Sequence, residues 1–393
     1  MKSLYKRVII LVLDSVGCGT QSDYRKFQSC KSNTLRSVYA SAPGFKLPNL
    51  EKLGLLQLIE NNKDSKSIIG VSGRMREQTP GNDTFAGIWE MVGVVFRGRF
   101  RNKKMGFPKR LIRQIEIKLG IKVIGNEYVS GFKALDKFYD EHKKRRGLIL
   151  YLADDGVVLL AAHEKVISAQ KLNMYGRELV SILKDHKISR VITRPFIGRK
   201  GNFIRTDNRR DYIALDNLEK ESVLSSLRDN KISLITTEHL FNILGHPQGA
   251  HSIIRGNHTN RRLVPLIVDR LNKEKDRAVM LFCLQDFDMY GHRKDVKGYA
   301  RSLHEFDTLL PKILKNLKSS DLLFITADHG CDPAVDLRGH TREFVPLLAY
   351  SSRLRHLTRR LGTRESFADL AQTICYNFEL KPINQGKIIH EVF

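Results

Sequence analysis

An α/β protein on a mostly parallel sheet, interrupted by an inserted α/β cap domain, is what three observations predict. Short apolar runs end repeatedly in clusters of Asp, His, Gly and Thr, and helical patterns lie between them. A chain of 393 residues is too long for one ordinary core. Its middle breaks the pattern, so the expected boundaries are residues 1–101 and 220–393 for a discontinuous core and 102–219 for the cap.

The elements support this in order. Val8 to Leu13 is a continuous apolar run that stops at Asp14. Lys2, Lys6 and Arg7 before it and Ser15-Val16-Gly17-Cys18 after it outline a lipoprotein leader, but the run is too short, so it reads as a buried first strand. Asn82-Asp83-Thr84 fits a glycosylation triplet, yet directly before Phe85 to Met91 it reads as a helix start with its cap. A basic stretch from Arg97 to Arg113 opens the middle region. There, strand-like runs at Leu148 to Ala153 and Arg190 to Thr193 flank a helical stretch, Ala169 to Leu183, and the polar segment Asn202 to Asp211 lies near the end. The strand grammar then returns. Ala278 to Leu284 leads to Asp286, Asp288 and His292, and after a helical pattern at Tyr299 to Leu317, Leu322 to Thr326 leads to Asp328 and His329. Ligands of such sheets lie beyond the carboxyl ends of the strands, where these polar clusters fall.

Composition narrows the class. Hydrophobic residues at 41% and charged residues at 28% fit a globular chain, and no stretch approaches the ~20 apolar residues that cross a bilayer. The five cysteines are odd in number and form no CxxC pair, which fits reduced thiols and a cytoplasmic protein. The net charge of +25 is spread along the chain with little aromatic interleaving. It therefore points to a basic surface and an anionic small-molecule substrate rather than to a specific nucleic acid.

Chemistry concentrates at the strand ends. Asp14, Asp288 with His292 four residues on, the adjacent Asp328 and His329, and His340 supply carboxylate oxygens and imidazole nitrogens. Singly, a strand-end Asp is usually a turn or cap residue. Recurrence at several strand ends changes that reading, because six such ligands are enough for two divalent cations with open positions. A pair of ions of this type clamps the entering and leaving oxygens of a phosphoryl group. The spacing leaves Asp286 as an alternative to Asp288, and the donor types do not choose among manganese, zinc and magnesium.

Longer motifs carry a resemblance. Val12-Leu13-Asp14-Ser15, Asp83-Thr84 with Gly87 and Trp89-Glu90, Arg194-Pro195-Phe196-Ile197-Gly198, Gly201-Asn202-Phe203, Asp286-Phe287-Asp288 and Gly291-His292-Arg293 begin the set. Thr326-Ala327-Asp328-His329-Gly330-Cys331-Asp332-Pro333, His340-Thr341-Arg342-Glu343 and Phe367-Ala368-Asp369 complete it. Together, nearly end to end, they resemble the phosphopentomutases of the alkaline-phosphatase-like superfamily, whose members join a metal-bearing α/β core to a mobile cap. The resemblance implies one metal on Asp14, Asp328 and His329 and another on Asp288, His292 and His340, both manganese. It implies Thr84 as the residue that carries a phosphoryl group, a sugar bisphosphate as intermediate and activator, and pentose phosphates as substrates. By the same resemblance Arg194, Arg205 and Arg209 contact phosphate and Asp155 holds a ribose hydroxyl. The chain departs from the pattern in three places. The Asp288 to His292 loop is one residue shorter, Gly87-Ile88-Trp89-Glu90 replaces Gly-His-Trp-Glu with Asn82 where a lysine is usual, and Ile235 to Phe241 lacks the usual Gly-Lys-Ile.

Overall fold

The computed structural model describes residues 4–60, 68–98, 100, 103–153, 156–337, 339–354 and 358–393. The chain divides into two compact units, Met1–Arg97 with Leu218–Phe393, and Gly98–Asn217. In chain order its strands are β1 (Arg7–Leu13), β2 (Gly70–Met75), β3 (Val123–Tyr128), β4 (Leu148–Leu152), β5 (Val157–His163), β6 (Arg190–Arg199) and β7 (Asn202–Arg205). There follow β8 (Arg210–Ile213), β9 (Ser233–Thr237), β10 (Ala250–Ile254), β11 (Ala278–Leu284), β12 (Asp321–Thr326), β13 (Val345–Tyr350) and β14 (Thr358–Arg364).

The larger unit is built on an eight-stranded sheet in the order β10-β9-β11-β1-β12-β13-β2-β14. β1 lies inside it, and all its residues are buried, as a strand covered on both faces requires. It runs parallel to β11 and to β12, with Leu13 opposite Leu284 and Val12 opposite Thr326. Continuing that second register by two residues brings Asp14 level with Asp328, so sheet pairing alone sets these carboxylates side by side. At the other end of the same strands Arg7 donates through Nε to Asp321 Oδ1 at 2.8 Å and through its guanidinium to the Leu271 and Glu274 carbonyls. This buried charge is thereby fully partnered, the condition under which a buried pair is tolerated.

β13 runs antiparallel to both β12 and β2, whereas β14 runs parallel to β2 at the edge. Neither β2 (GVSGRM) nor β14 (TRRLGTR) carries an apolar strand pattern, because glycines and edge arginines dilute it. The helix Val296–Asn316 buries Tyr299, Leu303, Phe306, Leu310 and Ile313 along one stripe. It starts three residues before the expected Tyr299 because Asp295 caps it, accepting from the Gly298 amide at 2.8 Å.

The smaller unit carries a six-stranded sheet, β3-β4-β5-β6-β7, with β8 also on β6. Strand alternation sorts its core: Leu148, Leu150 and Leu152 join one apolar cluster with the helix Ala169–Leu183, and Ile149 and Tyr151 join another with Phe138 and Phe196. Among the described residues no helix is long and apolar enough to cross a membrane.

Candidate active site

Asp14 follows β1 directly, and the chain then turns through Ser15 with a φ of 72°. A left-handed conformation costs a β-carbon residue ~1–2 kcal/mol. The surroundings hold it. The Ser15 amide donates to Asp328 Oδ1 at 3.1 Å, the Tyr299 hydroxyl donates to the Ser15 carbonyl at 2.9 Å, and the Cys331 amide donates to the same carbonyl at 3.0 Å. Asp328 Oδ1 also accepts from the His329 amide at 3.1 Å, which leaves Oδ2 facing the His329 ring, 3.5 Å from Nε2. Asp14 Oδ1 lies at 3.5 Å from the same nitrogen.

His329 is buried, and its Nδ1 lies 3.2 Å from the Gly330 carbonyl, which can only accept. Nδ1 therefore carries the proton, and the Nε2 lone pair is directed at the carboxylates, the arrangement of a ligating imidazole. Burial lowers the His329 pKa and keeps the ring neutral. Burial, together with the Asp328 and Asp288 charges, pushes the Asp14 carboxyl well above its usual range, and burial raises Asp328 to about 6. Concentrating negative charge in a dry place is unfavourable without a cation.

The helix Asp286–His292 sets Asp288 and His292 four residues apart on one face. His292 Nε2 is 3.3 Å from Asp288 Oδ2, His340 Nε2 is 3.6 Å from Asp288 Oδ1, and the two Nε2 atoms are 3.1 Å apart. Gly291 allows this approach, since a β-carbon there would meet Cys331 Sγ at 2.7 Å. Burial acts to raise the Asp288 carboxyl, but His292, His340 and His329 outweigh it and hold it below the carboxylate range. Burial, then the neighbouring His329, takes His340 down to about 4. Asp286 is engaged elsewhere: it accepts from the Asn260 amide at 2.8 Å, at the start of the helix Asn260–Lys273.

These two constellations are continuous. The His329 and His340 rings stack at 4.0 Å between centroids, and one donor atom each from Asp14, Asp288 and His329 lie within 4.8 Å of one another. The same holds for Asp288, His292 and His340. Asp14 Oδ1, Asp288 Oδ1 and Asp328 Oδ2 are buried and accept no hydrogen bond among the described residues, a state that buried carboxylates avoid unless a cation completes them. The structure thus brings together all six residues expected from the sequence.

Thr84 opens the helix Thr84–Met91, capped by Asp83, whose Oδ1 accepts from the Phe85 amide at 2.9 Å and the Ala86 amide at 3.2 Å. Its Oγ1 lies 3.2 Å from His329 Nε2. Several residues to which the sequence reading gave no role of their own fix this helix and its surroundings. Glu90 accepts from the amides of Gln78, Thr79 and Phe367 and from the Ser366 hydroxyl at 2.8 Å. Arg342 clamps the approach to Thr84 by donating to Glu77 and to the Thr79 and Gly81 carbonyls, and Asn82 Nδ2 donates to the His340 carbonyl at 2.8 Å. Glu343 gathers the Thr34 and Thr341 hydroxyls and the Gly19 amide. The signal for Glu90 was an acid inside an otherwise apolar helix, and Arg342 and Glu343 stood beside His340 in one motif.

The smaller unit holds Arg194 on β6 and Arg205 on β7, and both Nε atoms are buried and donate no hydrogen bond among the described residues. Burial, then the Arg209 and Arg205 charges, pulls Arg194 down to about 9, so it remains cationic at neutral pH. Arg209 is committed to a bidentate contact with Asp211 at 2.6 and 2.7 Å. Asp155 lies outside the described residues.

Known proteins match this chain over nearly its whole length. The sequence profile of the Metalloenzyme superfamily matches residues 6–382. A phosphopentomutase of Caldanaerobacter subterraneus subsp. tengcongensis is 40% identical over 389 residues, 98% of this chain and 97% of that protein. One of Clostridium novyi is 38% identical over 391 residues, 98% of each chain. Among solved structures, phosphoglycerate mutase of Leishmania mexicana shares the fold with a TM-score of 0.50 at 11% identity, covering 98% of this chain and 97% of that one. With its α/β core and its converging carboxylates and imidazoles, the chain belongs to the phosphopentomutase family of isomerases within the metalloenzyme superfamily.

Proposed function

We propose that this enzyme interconverts the 1-phosphate and 5-phosphate of ribose or deoxyribose through a phosphoryl group carried on Thr84 and a sugar bisphosphate intermediate. The observation that carries the reading is the Thr84 hydroxyl, 3.2 Å from His329 Nε2 and near buried carboxylates that each keep one oxygen without a hydrogen bond among the described residues. Those carboxylates and imidazoles fit two divalent cations: Asp14, Asp328 and His329 would hold one, and Asp288, His292 and His340 the other. Manganese is the proposed metal, because oxygen and imidazole donors accept it and the family resemblance selects it. When bound, such ions supply Lewis-acid stabilisation of charge on phosphoryl oxygens.

The remaining work falls to the chain. Thr84 sits at the first position of its helix, so first-turn amides and the helix dipole favour an anionic group there. The bond from phosphorus to Thr84 Oγ1 breaks as a bond to the free sugar hydroxyl forms, and Thr84 Oγ1 gains a proton as the sugar hydroxyl loses one, so that the exchange is neutral overall. The bisphosphate then returns its other phosphate to Thr84, and a sugar bisphosphate from solution primes the first turnover. Arg194 and Arg205 are the proposed partners of the substrate's phosphate, since guanidinium donors match phosphate oxygens and these two have donors to give. Arg209 orients Asp211 and reinforces the positive field, and Asp155 is the proposed partner of a ribose hydroxyl. The free cysteines support a reducing, cytoplasmic setting.

A coupled assay with ribose 1-phosphate, with intact-protein mass measured after incubation with a sugar bisphosphate, tests the reading. Ribose 5-phosphate formation and a phosphate located on Thr84 are expected. Inorganic phosphate without ribose 5-phosphate, or a label on another residue, overturns it.

A further inference from the structure

Three adjacent strands of the core sheet, β9, β11 and β1, end at the same edge, with Thr236 of β9 opposite Leu281 and Leu13 of β1 opposite Leu284. There a ring nitrogen of His239, Cys283 Sγ and an Asp14 carboxylate oxygen lie within 4.8 Å of one another, with Asp14 and Cys283 buried. The two oxygens of Asp14 face different neighbours. Oδ1 lies 3.5 Å from His329 Nε2, in the constellation already described, whereas Oδ2 lies 3.5 Å from Cys283 Sγ. A tetrahedral ion with bonds of ~2.0–2.3 Å seats its donors roughly 3.3–3.8 Å apart, so Oδ2 and Sγ already stand at that separation.

We propose a third cation position at Asp14, His239 and Cys283, distinct from the two ions of the proposed reaction and joined to them by Asp14 as a bridging carboxylate. The thiolate and imidazole make it a softer site than its neighbours, suited to zinc or cobalt(II) rather than to manganese or magnesium. Binding replaces the S–H hydrogen with a metal–sulfur bond, and the proton leaves to solvent. A thiol merely donating a hydrogen bond to Asp14 is the competing account. The proposal shares Asp14 with the catalytic reading but requires neither mutase turnover nor Thr84.

The test uses the full chain, stripped by chelation and titrated with zinc and, separately, with cobalt(II). Expected are three zinc equivalents per chain, falling to two in Cys283→Ala, Cys283→Ser and His239→Ala, and a thiolate-to-cobalt absorption band in the near ultraviolet. That band disappears in both cysteine variants and persists in Asp288→Asn, which removes a ligand of the other constellation only. Absence of the band in the wild-type chain, or zinc stoichiometry unchanged by both cysteine variants, overturns the third position. A band that persists while Asp288→Asn leaves both zinc stoichiometry and turnover unchanged would instead defeat the two-metal reading, which separates the two failures. Near-ultraviolet circular dichroism confirms that each variant is folded, and Cys283→Ser preserves the side chain's shape should the alanine variant unfold.

Discussion

Replacing Gly87 by alanine tests how closely the helix that carries Thr84 must lie against the strand end that carries Asp328. A β-carbon at Gly87 would stand 2.2 Å from the Asp328 carbonyl oxygen, where ordinary contact begins at 3.4 Å. The obstacle is backbone rather than the end of a movable side chain, so the helix has to retreat by about 1.2 Å. Thr84 moves with its helix and leaves its position beside His329. A displacement of ~1 Å in a reacting group costs on the order of 10²-fold in rate, and overpacking costs about 1–3 kcal/mol in stability. Gly87→Ala is therefore expected to lower kcat/KM for ribose 1-phosphate about 10²-fold while melting as a folded protein, on the same displacement estimate. Gly98→Ala, which places its methyl in open space, serves as the control and should change stability by less than ~0.5 kcal/mol. Wild-type turnover in Gly87→Ala would refute the claim that helix position limits the chemistry.

Other expectations follow from particular contacts. Thr84→Ala should lose mutase activity by ~10⁴-fold or more and take up no phosphate from a sugar bisphosphate, whereas Thr84→Ser should keep both measurably, by kinetics and intact mass. Glu90→Ala strands the amides of Gln78, Thr79 and Phe367 in a buried setting and should cost roughly 3 kcal/mol or more in denaturant unfolding. His142 is buried, its Nδ1–H donates to the Gly147 carbonyl and its Nε2 accepts from the His163 amide at 3.0 Å, so the ring must stay neutral. Burial lowers its pKa below the ordinary 6.5, so the unfolded chain binds the proton more readily. Its stabilisation is thus complete above 6.5 and lost as pH falls through the folded value, and the wild-type advantage in Tm over His142→Gln should shrink between pH 7.5 and roughly 5.5. Chelation should abolish turnover and manganese should restore it, and Asp328→Ala should stay inactive with manganese present. Equal rates with and without the ions would remove the metal role.

How much was legible in the sequence depended on whether a residue's neighbours were set by local pattern or by distant pairing. β1, β11 and β12 announced themselves because a strand covered on both faces is largely apolar, and Asp14, Asp288, Asp328 and His329 follow those runs within four residues. β2 and β14 were silent, since the glycines of β2 and the arginines of the edge strand β14 leave no apolar period. The choice between Asp286 and Asp288 could not be read from spacing, because both follow β11 closely. The tertiary contacts separate them: the Asn260 amide occupies Asp286, while Asp288 faces His292 and His340.

The chain's own order of residues therefore determined the fold class and the family and pointed to the six strand-end side chains that the fold brings together, because burial and strand-end chemistry are written locally. The tertiary structure alone decided which donors face one another. Parallel register sets Asp14 level with Asp328, close approach at Gly87 and Gly291 seats two helices against the strand ends, and Asp14 Oδ2 meets Cys283 across a strand pair whose members are far apart in sequence. Those distances follow from pairing and packing between remote segments, and no pattern within one segment encodes them.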